Sequence, residues 1–316
     1  MKINLLFPLL FVMSALFLSC NSEEDPEEHV TIDDPYNKSI VDIDVRGNSV
    51  YVASAKDGFY IYENEAWSVM KEEDGLLSNS LTSIAVSADG IVYAGTSLGI
   101  STFNNGKWSK ITTAEGLYSD NVKTLTFDPN GDLWIGTGNN RLIRYNGIEI
   151  TATYHVNSEV SGPGQMGHIH TVCFDKNGNV WAGSCISGLS VFDGVQWTDN
   201  INNLNVFVQA SVCANNGEIW IGHISGAYQL VSENWIKHDV GNGLANNMVL
   251  DFAVDGDDNV WAATEGGLSR FDGTQWHNFT TEDGLPDNYV GAVACDQDNN
   301  IIWVGTSKGL TQLNLD

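Results

Sequence analysis

The chain alternates short apolar runs with polar turns, and four such runs make up one unit. Residues 124–127 alternate polar and apolar side chains, residues 128–131 form a turn, and the run Leu133–Thr137 follows. In another unit the third run, Gly267–Phe271, is followed by a turn and by a fourth run that carries Trp276. Alternation with a period of two is typical of half-buried strands, and Asp, Pro, Asn and Gly favour tight bends. The pattern predicts four antiparallel strands in each unit.

The unit repeats seven times. An aromatic residue in the second strand marks each copy, at positions 51, 93, 134, 181, 220, 261 and 303. Successive markers are 42, 41, 47, 39, 41 and 42 residues apart, with a mean of 42. Four antiparallel strands repeated at this period are typical of a β-propeller, which arranges its sheets radially as blades. We therefore predict an all-β fold, a seven-bladed β-propeller with four antiparallel strands in each blade.

The two ends of the repeat predict that the ring closes. The last unit stops at Asp316 after its third strand, whereas the chain before the first unit offers a spare strand at residues 29–33. This N-terminal strand can complete the last blade, so the propeller is predicted to span residues 29–316. The alternative, an open solenoid, leaves the spare strand without a role.

The tryptophans occupy two positions of the unit. Five fall in predicted second strands and five in predicted fourth strands, and these account for all ten. Large aromatic rings suit the packing of one sheet against the next. None of the tryptophans therefore needs a binding role.

Three of the loops that lead into a first strand share one sequence motif. They read Glu-Asp-Gly-Leu-Leu-Ser-Asn at 73–79, Glu-Gly-Leu-Tyr-Ser-Asp-Asn at 115–121 and Glu-Asp-Gly-Leu-Pro-Asp-Asn at 282–288. Together with Trp-Ile-Gly-Thr at 134–137 and the Gly-Leu start of the third strand, the repeat resembles that of two-component regulator propellers. That family supplies the extracellular sensor portions of hybrid histidine kinases that detect glycan fragments, so the resemblance, over residues 39–316, implies a recognition scaffold. Because the sequence shows no second propeller, immunoglobulin-like module, membrane helix or kinase, we do not expect this chain to pass a signal inward by itself.

The N-terminal segment is a predicted sorting signal. Residues 5–18 form a nearly continuous apolar stretch, shorter than the roughly 20 residues that a membrane-spanning helix needs. The sequence that ends at Cys20 resembles the lipobox of bacterial lipoproteins. We therefore predict a lipoprotein signal peptide at residues 1–19, lipidation of Cys20, and an acidic tether at residues 20–28.

The acidic run also resembles a signal that sends lipoproteins to the outer face of the cell. An outer-membrane or cell-surface location, with the protein anchored by lipid, is the prediction. The alternative is ordinary signal-peptide cleavage, which would give a soluble periplasmic protein.

The charge balance excludes one class of partner. Asp and Glu number 40 against 14 Lys and Arg, which gives a formal net charge of −26. Such a charge repels nucleic-acid phosphates and anionic lipid. We predict no nucleic-acid partner, and contact with a membrane only through the lipid on Cys20.

Several motifs of catalytic and ligand-binding sites occur without their structural context. Residues 95–99 and 305–309 match G-x-S-x-G and residues 162–167 match G-x-G-x-x-G, but none leads into a helix, as a nucleophile elbow or dinucleotide site requires. Asp-rich turns such as residues 128–132 lack the glutamate of a calcium loop. The few arginines also argue against a sialidase. We expect no cofactor and no bound metal.

Four cysteines remain beside Cys20, at positions 173, 185, 213 and 295. Cys213 and Cys295 share one strand position in non-neighbouring blades, and we interpret them as small buried core residues. An even number in an oxidising compartment leaves disulfides open.

One part of the chain departs from the repeat and predicts a ligand site. The third unit is longer, lacks the fourth-strand tryptophan and has Arg141 in place of a glycine, and the units after it contribute further histidines. These positions fall in predicted loops between strands four and one or two and three, which share one face of a propeller. The predicted site over blades 3 to 5 comprises Arg141, Tyr154, His155, Gln165, Met166, His168, His170 and His223. Aromatic faces, an arginine and neutral imidazoles suit a sugar or another polar ligand. The alternative is a tolerated insertion with locally satisfied histidines.

Three functions follow from these predictions. The preferred one is a non-enzymatic, lipid-anchored recognition propeller that binds a glycan or a partner protein at the bacterial cell envelope. The second is a propeller lyase or hydrolase that uses His168, His170 or His223 as a base or metal ligand, although no carboxylate is recognisably paired with them. The third is a structural scaffold that binds proteins through its rim.

Deletion of residues 29–38 is predicted to lower the melting temperature far more than deletion of residues 21–28. The first deletion removes the strand that closes the ring, whereas the second removes only the tether. Thermal unfolding of the two variants, followed by circular dichroism, tests this prediction. Equal melting temperatures would contradict it.

Overall fold

The computed structural model describes residues 34–156, 167–186, 188–199 and 207–315. Within them the chain forms seven consecutive antiparallel sheets, which confirms the seven-bladed β-propeller. Among the residues described, no helix is long and apolar enough to cross a membrane. Several predicted features lie outside the described residues: the signal peptide, Cys20, the tether, the strand at residues 29–33, Gln165 and Met166.

Each blade is built from strands that pair with their neighbours in chain order. Blades 1 and 2 comprise β1 (Ile40–Arg46), β2 (Ser49–Ser54), β3 (Phe59–Glu63), β4 (Ala66–Met70), β5 (Leu81–Val86), β6 (Val92–Thr96), β7 (Gly99–Asn104) and β8 (Lys107–Ile111). Blades 3 and 4 comprise β9 (Val122–Phe127), β10 (Leu133–Thr137), β11 (Arg141–Tyr145), β12 (Ile150–His155), β13 (Ile169–Phe174), β14 (Val180–Ser184), β15 (Gly188–Phe192) and β16 (Trp197–Thr198). Blades 5 and 6 comprise β17 (Val208–Cys213), β18 (Ile219–His223), β19 (Gly226–Val231), β20 (Asn234–His238), β21 (Val249–Val254), β22 (Val260–Thr264), β23 (Gly267–Phe271) and β24 (Trp276–Phe279). The described strands of blade 7 are β25 (Val290–Asp296), β26 (Ile301–Thr306) and β27 (Gly309–Asn314).

The first and last blades are neighbours, so the ring is closed. Ile40 and Ile43 of blade 1 pack in one buried cluster with Ala292, Trp303 and Leu310 of blade 7. Comparable apolar clusters fill the other six junctions between blades. Both faces of every sheet are therefore covered by its neighbours, and burial of large apolar side chains at these junctions, worth about 1.5–3 kcal/mol for each, stabilises the ring.

The chain just before β1 lies where a fourth strand of blade 7 would end. A side chain added at Gly309, the first residue of β27, would collide with the carbonyl oxygen of Tyr36. In blade 2 the equivalent Gly99 faces the carbonyl oxygen of Ile111, the last residue of the fourth strand, and Gly267 of blade 6 faces that of Phe279 in the same way. This position of Tyr36 is the one that an N-terminal closing strand requires.

The turn between the first and second strands holds the second-strand tryptophan. Oδ2 of Asp128 accepts the indole N–H of Trp134 at 3.0 Å, and Oδ1 accepts the backbone N–H groups of Asn130 and Asp132. Asp255 accepts the indole N–H of Trp261 at 2.8 Å in the same way. The aspartate recurs because it stabilises the hairpin and the tryptophan together.

Hydrogen bonds also explain the sequence motif that recurs before a first strand. A short 3₁₀ turn at Thr281–Asp283 is capped by the side chains of Thr280 and Asp283, and Oδ1 of Asn288 accepts the backbone N–H of Thr281 at 2.7 Å. Related turns occur at Glu72–Asp74, Thr113–Glu115 and Val240–Asn242. The glycine that follows each turn has a positive φ, which is 104° at Gly284, a conformation that glycine adopts without strain.

The tryptophans lie in the second and fourth strands, as predicted. The four cysteines within the described residues are free thiols, and Cys173 is buried.

Replacing Ala214 with Asp is predicted to raise the free energy of unfolding by about 1 kcal/mol. Ala214 stands six residues before Trp220, where other blades have the turn aspartate, and the buried Nε1 of Trp220 has no hydrogen-bond partner among the described residues. Urea unfolding measures the effect. The matched control Asp255→Ala should lower the free energy of unfolding, and an unchanged or reduced stability of Ala214→Asp would contradict the prediction.

Candidate functional site

A β-bulge interrupts the start of every first strand. In blade 1 Ile40 is opposite Ser54 and Asp42 is opposite Ala53, which leaves Val41 as an extra residue. The same shift recurs in the first strands of the other six blades. The extra residues, which we call the bulge ring, are Val41, Thr82, Lys123, His170, Gln209, Leu250 and Gly291. Bulges of this kind redirect a side chain away from the regular pleat.

The bulge ring surrounds a cavity of about 440 Å³ at the end of the central channel where the first strands begin. The cavity is large enough for a small ligand, since such sites are typically about 300–1,000 Å³. All seven members of the ring line it. Most residues that follow them in the strands also line it: Asp42, Ser83, Thr124, Thr171, Ala210 and Asp251. The wall is thus dominated by hydroxyl, amide and charged groups.

The residue after each extra residue can reach sideways to the next blade. Oδ2 of Asp42 accepts the backbone N–H of Ile84 at 2.8 Å and the hydroxyl of Ser83 at 2.7 Å. The hydroxyl oxygen of Ser83 in turn accepts the backbone N–H of Leu125, in blade 3, at 3.0 Å. Inner strands of adjacent blades do not pair with each other, so these side chains satisfy backbone groups that would otherwise be buried without a partner.

Asp42 and Asp251 follow blades that have no side-chain acceptor at this position, so those blades cannot bond the backbone N–H groups of blades 1 and 6. Blade 7 has Ala292 and blade 5 has Ala210 at the equivalent position. Each aspartate uses Oδ1 to accept the N–H of the next residue in its own strand, Ile43 at 2.9 Å and Phe252 at 2.8 Å. Oδ2 of Asp251 also accepts the N–H of Val293, in blade 7, at 2.9 Å. Only a carboxylate at this position can accept both bonds, which accounts for the two aspartates.

Burial makes both carboxyl groups harder to ionise. It raises the pKa of Asp42, although hydrogen bonds from Ser83 and two backbone N–H groups oppose the shift. Burial, and secondarily the negative charge of Asp42, raises the pKa of Asp251 to about 7. The backbone hydrogen bonds from Val293 and Phe252 limit that rise. The two groups flank blade 7 and give this side of the cavity its acidic character.

The opposite side of the cavity carries the basic groups. Lys123 and His170 are adjacent members of the bulge ring, on blades 3 and 4, and the ring of His168 lies 5.9 Å from that of His170. Burial, followed by the nearby charges of His168 and Lys123, lowers the pKa of His170 to about 4. Burial and then Lys123 also lower the pKa of His168. Both imidazoles are therefore neutral at pH 7.

The predicted site residues that the structure describes do not all line the cavity. His170 lines the cavity, and His168 lies just outside it, where its backbone N–H donates to Sγ of Cys185 at 3.2 Å. Arg141 lies on blade 3 with its guanidinium 4.4 Å above the ring of Tyr118, and His155 is opposite Arg141 in the sheet. Burial, and then the charge of Arg141, lowers the pKa of His155.

Two predicted residues have packing roles. Tyr154 stacks on Trp134 with ring centroids 5.7 Å apart, as Phe279 stacks on Trp261 in blade 6, so its ring belongs to the junction between blades. His223 is buried, and its Nδ1 accepts the backbone N–H of Ser225 at 3.0 Å. Thr96 accepts the corresponding bond in blade 2, so His223 replaces a turn hydroxyl.

The assignment to loops was wrong for five of these residues, whereas His168 does lie in the loop before β13. Arg141 begins β11, Tyr154 and His155 end β12, His170 lies in β13 and His223 ends β18. The sequence analysis missed Lys123, Asp42 and Asp251. A comparison of the seven first strands could have found Lys123, because Lys123 and His170 occupy the position where the other units have Val, Thr, Gln, Leu or Gly.

Comparison with known proteins supports the resemblance drawn from the repeats. Residues 119–139 and 284–308 match the model of the two-component regulator propeller family. None of the curated proteins matches the chain.

Solved structures from several sources share the fold. The extracellular domain of a hybrid two-component system from B. thetaiotaomicron has a TM-score of 0.72 and 21% identity, and the alignment covers 89% of this chain and 39% of that one. Our chain therefore spans about two fifths of that structure. Virginiamycin B lyase from Staphylococcus aureus has a TM-score of 0.72 and 14% identity, covering 88% and 96% of the two chains. YCF48 bound to a D1 peptide has a TM-score of 0.66 and 16% identity, covering 90% and 96%. At these identities the similarity shows the propeller fold alone.

Asp251→Asn is predicted to change how stability depends on pH. An unfolded Asp has a pKa near 3.9, whereas that of Asp251 in the folded protein is about 7, so the folded state binds this proton more tightly. The resulting stabilisation is complete below about pH 4 and is lost as the pH rises toward 7. The free energy of unfolding of the wild type, relative to the variant, should fall between pH 5 and pH 8, by at most about 1.4 kcal/mol per pH unit.

Urea unfolding at several pH values measures this difference. The variant Asp298→Asn, in the exposed turn between β25 and β26, serves as the control and should show no such trend. A constant difference between wild type and Asp251→Asn over this pH range would contradict the prediction.

Proposed function

We propose that the protein is a non-enzymatic recognition propeller that binds a glycan in the cavity surrounded by the bulge ring. The observation that carries this proposal is the bulge ring itself. Seven copies of one structural position meet around a cavity of about 440 Å³, yet their side chains have no chemistry in common. Positions needed only for packing show similar side chains in each repeat, so a position that varies this much and faces an open cavity is suited to recognition.

The lining fits a polyhydroxylated ligand. Gln209 and the neutral imidazole of His170 each offer a donor and an acceptor. The hydroxyl of Thr82 donates to the carbonyl oxygen of Val122 at 3.0 Å and keeps its acceptor capacity, and the carboxylates of Asp42 and Asp251 add further acceptors. Tyr289 is 43% exposed at the edge of the cavity and offers an aromatic face for a sugar ring. Such a mixture of hydrogen-bonding groups with one aromatic face is well matched to a sugar.

A cell-envelope location accompanies this function. The N-terminal sequence supports export and lipidation of Cys20, and the fold similarity includes the extracellular domain of a hybrid two-component system. The glycan would then be met outside the cytoplasm, with the propeller anchored through lipid.

An enzymatic role is the weaker candidate. A pKa of about 4 leaves His170 a poor general base at neutral pH. Among the described residues, no group of three or more His, Cys, Asp or Glu side chains is arranged to hold a metal ion. The similarity to virginiamycin B lyase at 14% identity gives no reason to transfer its activity.

A partner protein is the second candidate ligand. Leu98, Tyr118, Ile224 and Val240 are large apolar side chains, each more than half exposed, in loops between strands two and three or four and one. Backbone hydrogen bonds join the two kinds of loop, for example from Gly138 to Asn121, so they lie on one face. Exposed apolar groups around a cavity are typical of protein docking.

Gln209→Trp is predicted to weaken glycan binding at least about tenfold, because the indole would fill the cavity. A glycan array on the purified protein identifies the ligand, and isothermal titration calorimetry measures its affinity. The control Val195→Trp adds the same side chain to an exposed turn between strands three and four and should leave binding unchanged.

Two outcomes would overturn the proposal. Equal binding by wild type and Gln209→Trp would place the glycan outside the cavity. Absence of binding to any glycan on the array would remove glycan recognition and favour a protein ligand.

A further inference from the structure

Acidic and basic side chains lie on opposite sides of the cavity. Asp42 and Asp251 belong to blades 1 and 6, on either side of blade 7, whereas Lys123 and His170 belong to blades 3 and 4. In a ring of seven, the junction of blades 3 and 4 lies directly opposite blade 7. A ligand in the cavity therefore meets two carboxyl groups on one side and, on the other, the ammonium group of Lys123 beside the neutral imidazole of His170.

Among the described residues that line the cavity, Lys123 is the only lysine or arginine. No carboxylate lies within ion-pairing distance of its ammonium group among the described residues, although acidic residues outnumber basic ones by 40 to 14 in the sequence. By contrast, Arg144 pairs with Asp132 at 2.7 Å and Lys237 with Asp239 at 3.0 Å. An unpaired ammonium group in a cavity wall favours a negatively charged ligand group.

The neighbours of Lys123 suit the same group. His170 is neutral and can donate one ring N–H to an anion, and Thr124 adds a hydroxyl beside Lys123 in the cavity wall. His168 stands behind His170, with a buried Nδ1 that has no hydrogen-bond partner within the described part of the chain. Charge-assisted hydrogen bonds from such donors are stronger than neutral ones.

The acidic wall and the overall charge limit how much negative charge the ligand carries. Asp42 and Asp251 already have two backbone N–H donors each, so their remaining lone pairs are suited to the hydroxyl groups of a sugar. A formal net charge of −26 repels long polyanions. The ligand is therefore small, with one anionic end and one hydroxyl-rich end.

We propose that the cavity binds a monoanionic sugar, with its anionic group at Lys123 and His170 and its hydroxyl groups toward Asp42 and Asp251. This inference rests on the proposed function and names its ligand class. Two common sugars have this chemistry, a hexuronate with a carboxylate and a hexose with one sulfate ester. The cavity volume accommodates one or two sugar rings of either kind.

Calorimetry with three matched ligands tests the inference: methyl glucoside, methyl glucuronide and methyl glucoside 6-sulfate. The wild-type protein should bind at least one of the two anionic sugars about tenfold or more tightly than the neutral one. Which anionic sugar binds more tightly identifies the group. Raising the salt concentration should reduce the preference for the anion, because the interaction is electrostatic.

Lys123→Met should abolish the preference for the anionic sugar, and Lys123→Arg should retain much of it. The control Lys107→Met removes an exposed lysine from β8 and should leave the preference unchanged. A preference that survives in Lys123→Met, or a wild type that binds the neutral sugar as tightly, would overturn the inference.

These failures can be told apart from failure of the proposed function. If the wild type binds the neutral sugar as tightly as the anionic ones and Gln209→Trp loses this binding, the cavity remains a glycan site. Only the specificity for an anionic sugar is then rejected. If the protein binds none of the three sugars, the inference is overturned. If it also binds no glycan on the array, the proposed function is rejected as well.

Discussion

The extra residue at the start of each first strand is the feature on which both the ring and the cavity depend. Inner strands of neighbouring blades converge on one axis without pairing with each other, so the backbone there needs other hydrogen-bond partners. The bulge gives two consecutive residues different roles. One residue faces the channel, and the next reaches an adjacent blade, as Asp42 does toward Ile84. A single irregularity, repeated seven times, thus forms both the junctions and the lining.

This division explains which residues vary between repeats. The position after the bulge holds Asp, Ser or Thr in five blades and Ala in the other two. Where it is Ala, as at Ala292 and Ala210, the next blade supplies an aspartate that accepts both hydrogen bonds. The bulge ring obeys no such rule, since it ranges from Gly291 to Lys123. The fold therefore constrains the residue after the bulge and leaves the bulge ring available for recognition.

The sequence was sufficient for the fold because the signals of a propeller are local and repeated. The Asp turn, the second-strand tryptophan and the capped 3₁₀ turn each act within one unit, and seven copies make the period evident. The site was harder to predict, because a bulge changes only the register between two strands and leaves the alternation of polar and apolar residues nearly intact. Lys123 therefore looked like an ordinary outward-facing residue of a strand. Tyr154 and His223 misled for a related reason: an unusual residue at a repeated position can perform the usual structural task, stacking on Trp134 or accepting the N–H of Ser225. His170, chosen because its unit departs from the repeat, does line the cavity.

A crystal structure of the protein with a bound monoanionic sugar tests the central claim most directly. The account predicts electron density for the sugar at the end of the channel where the first strands begin. Its anionic group should lie within hydrogen-bond distance of Nζ of Lys123, and its hydroxyl groups should face Asp251. A sugar bound on the outer strands of a blade, or at the opposite end of the channel, would contradict the assignment of the bulge ring as the recognition site.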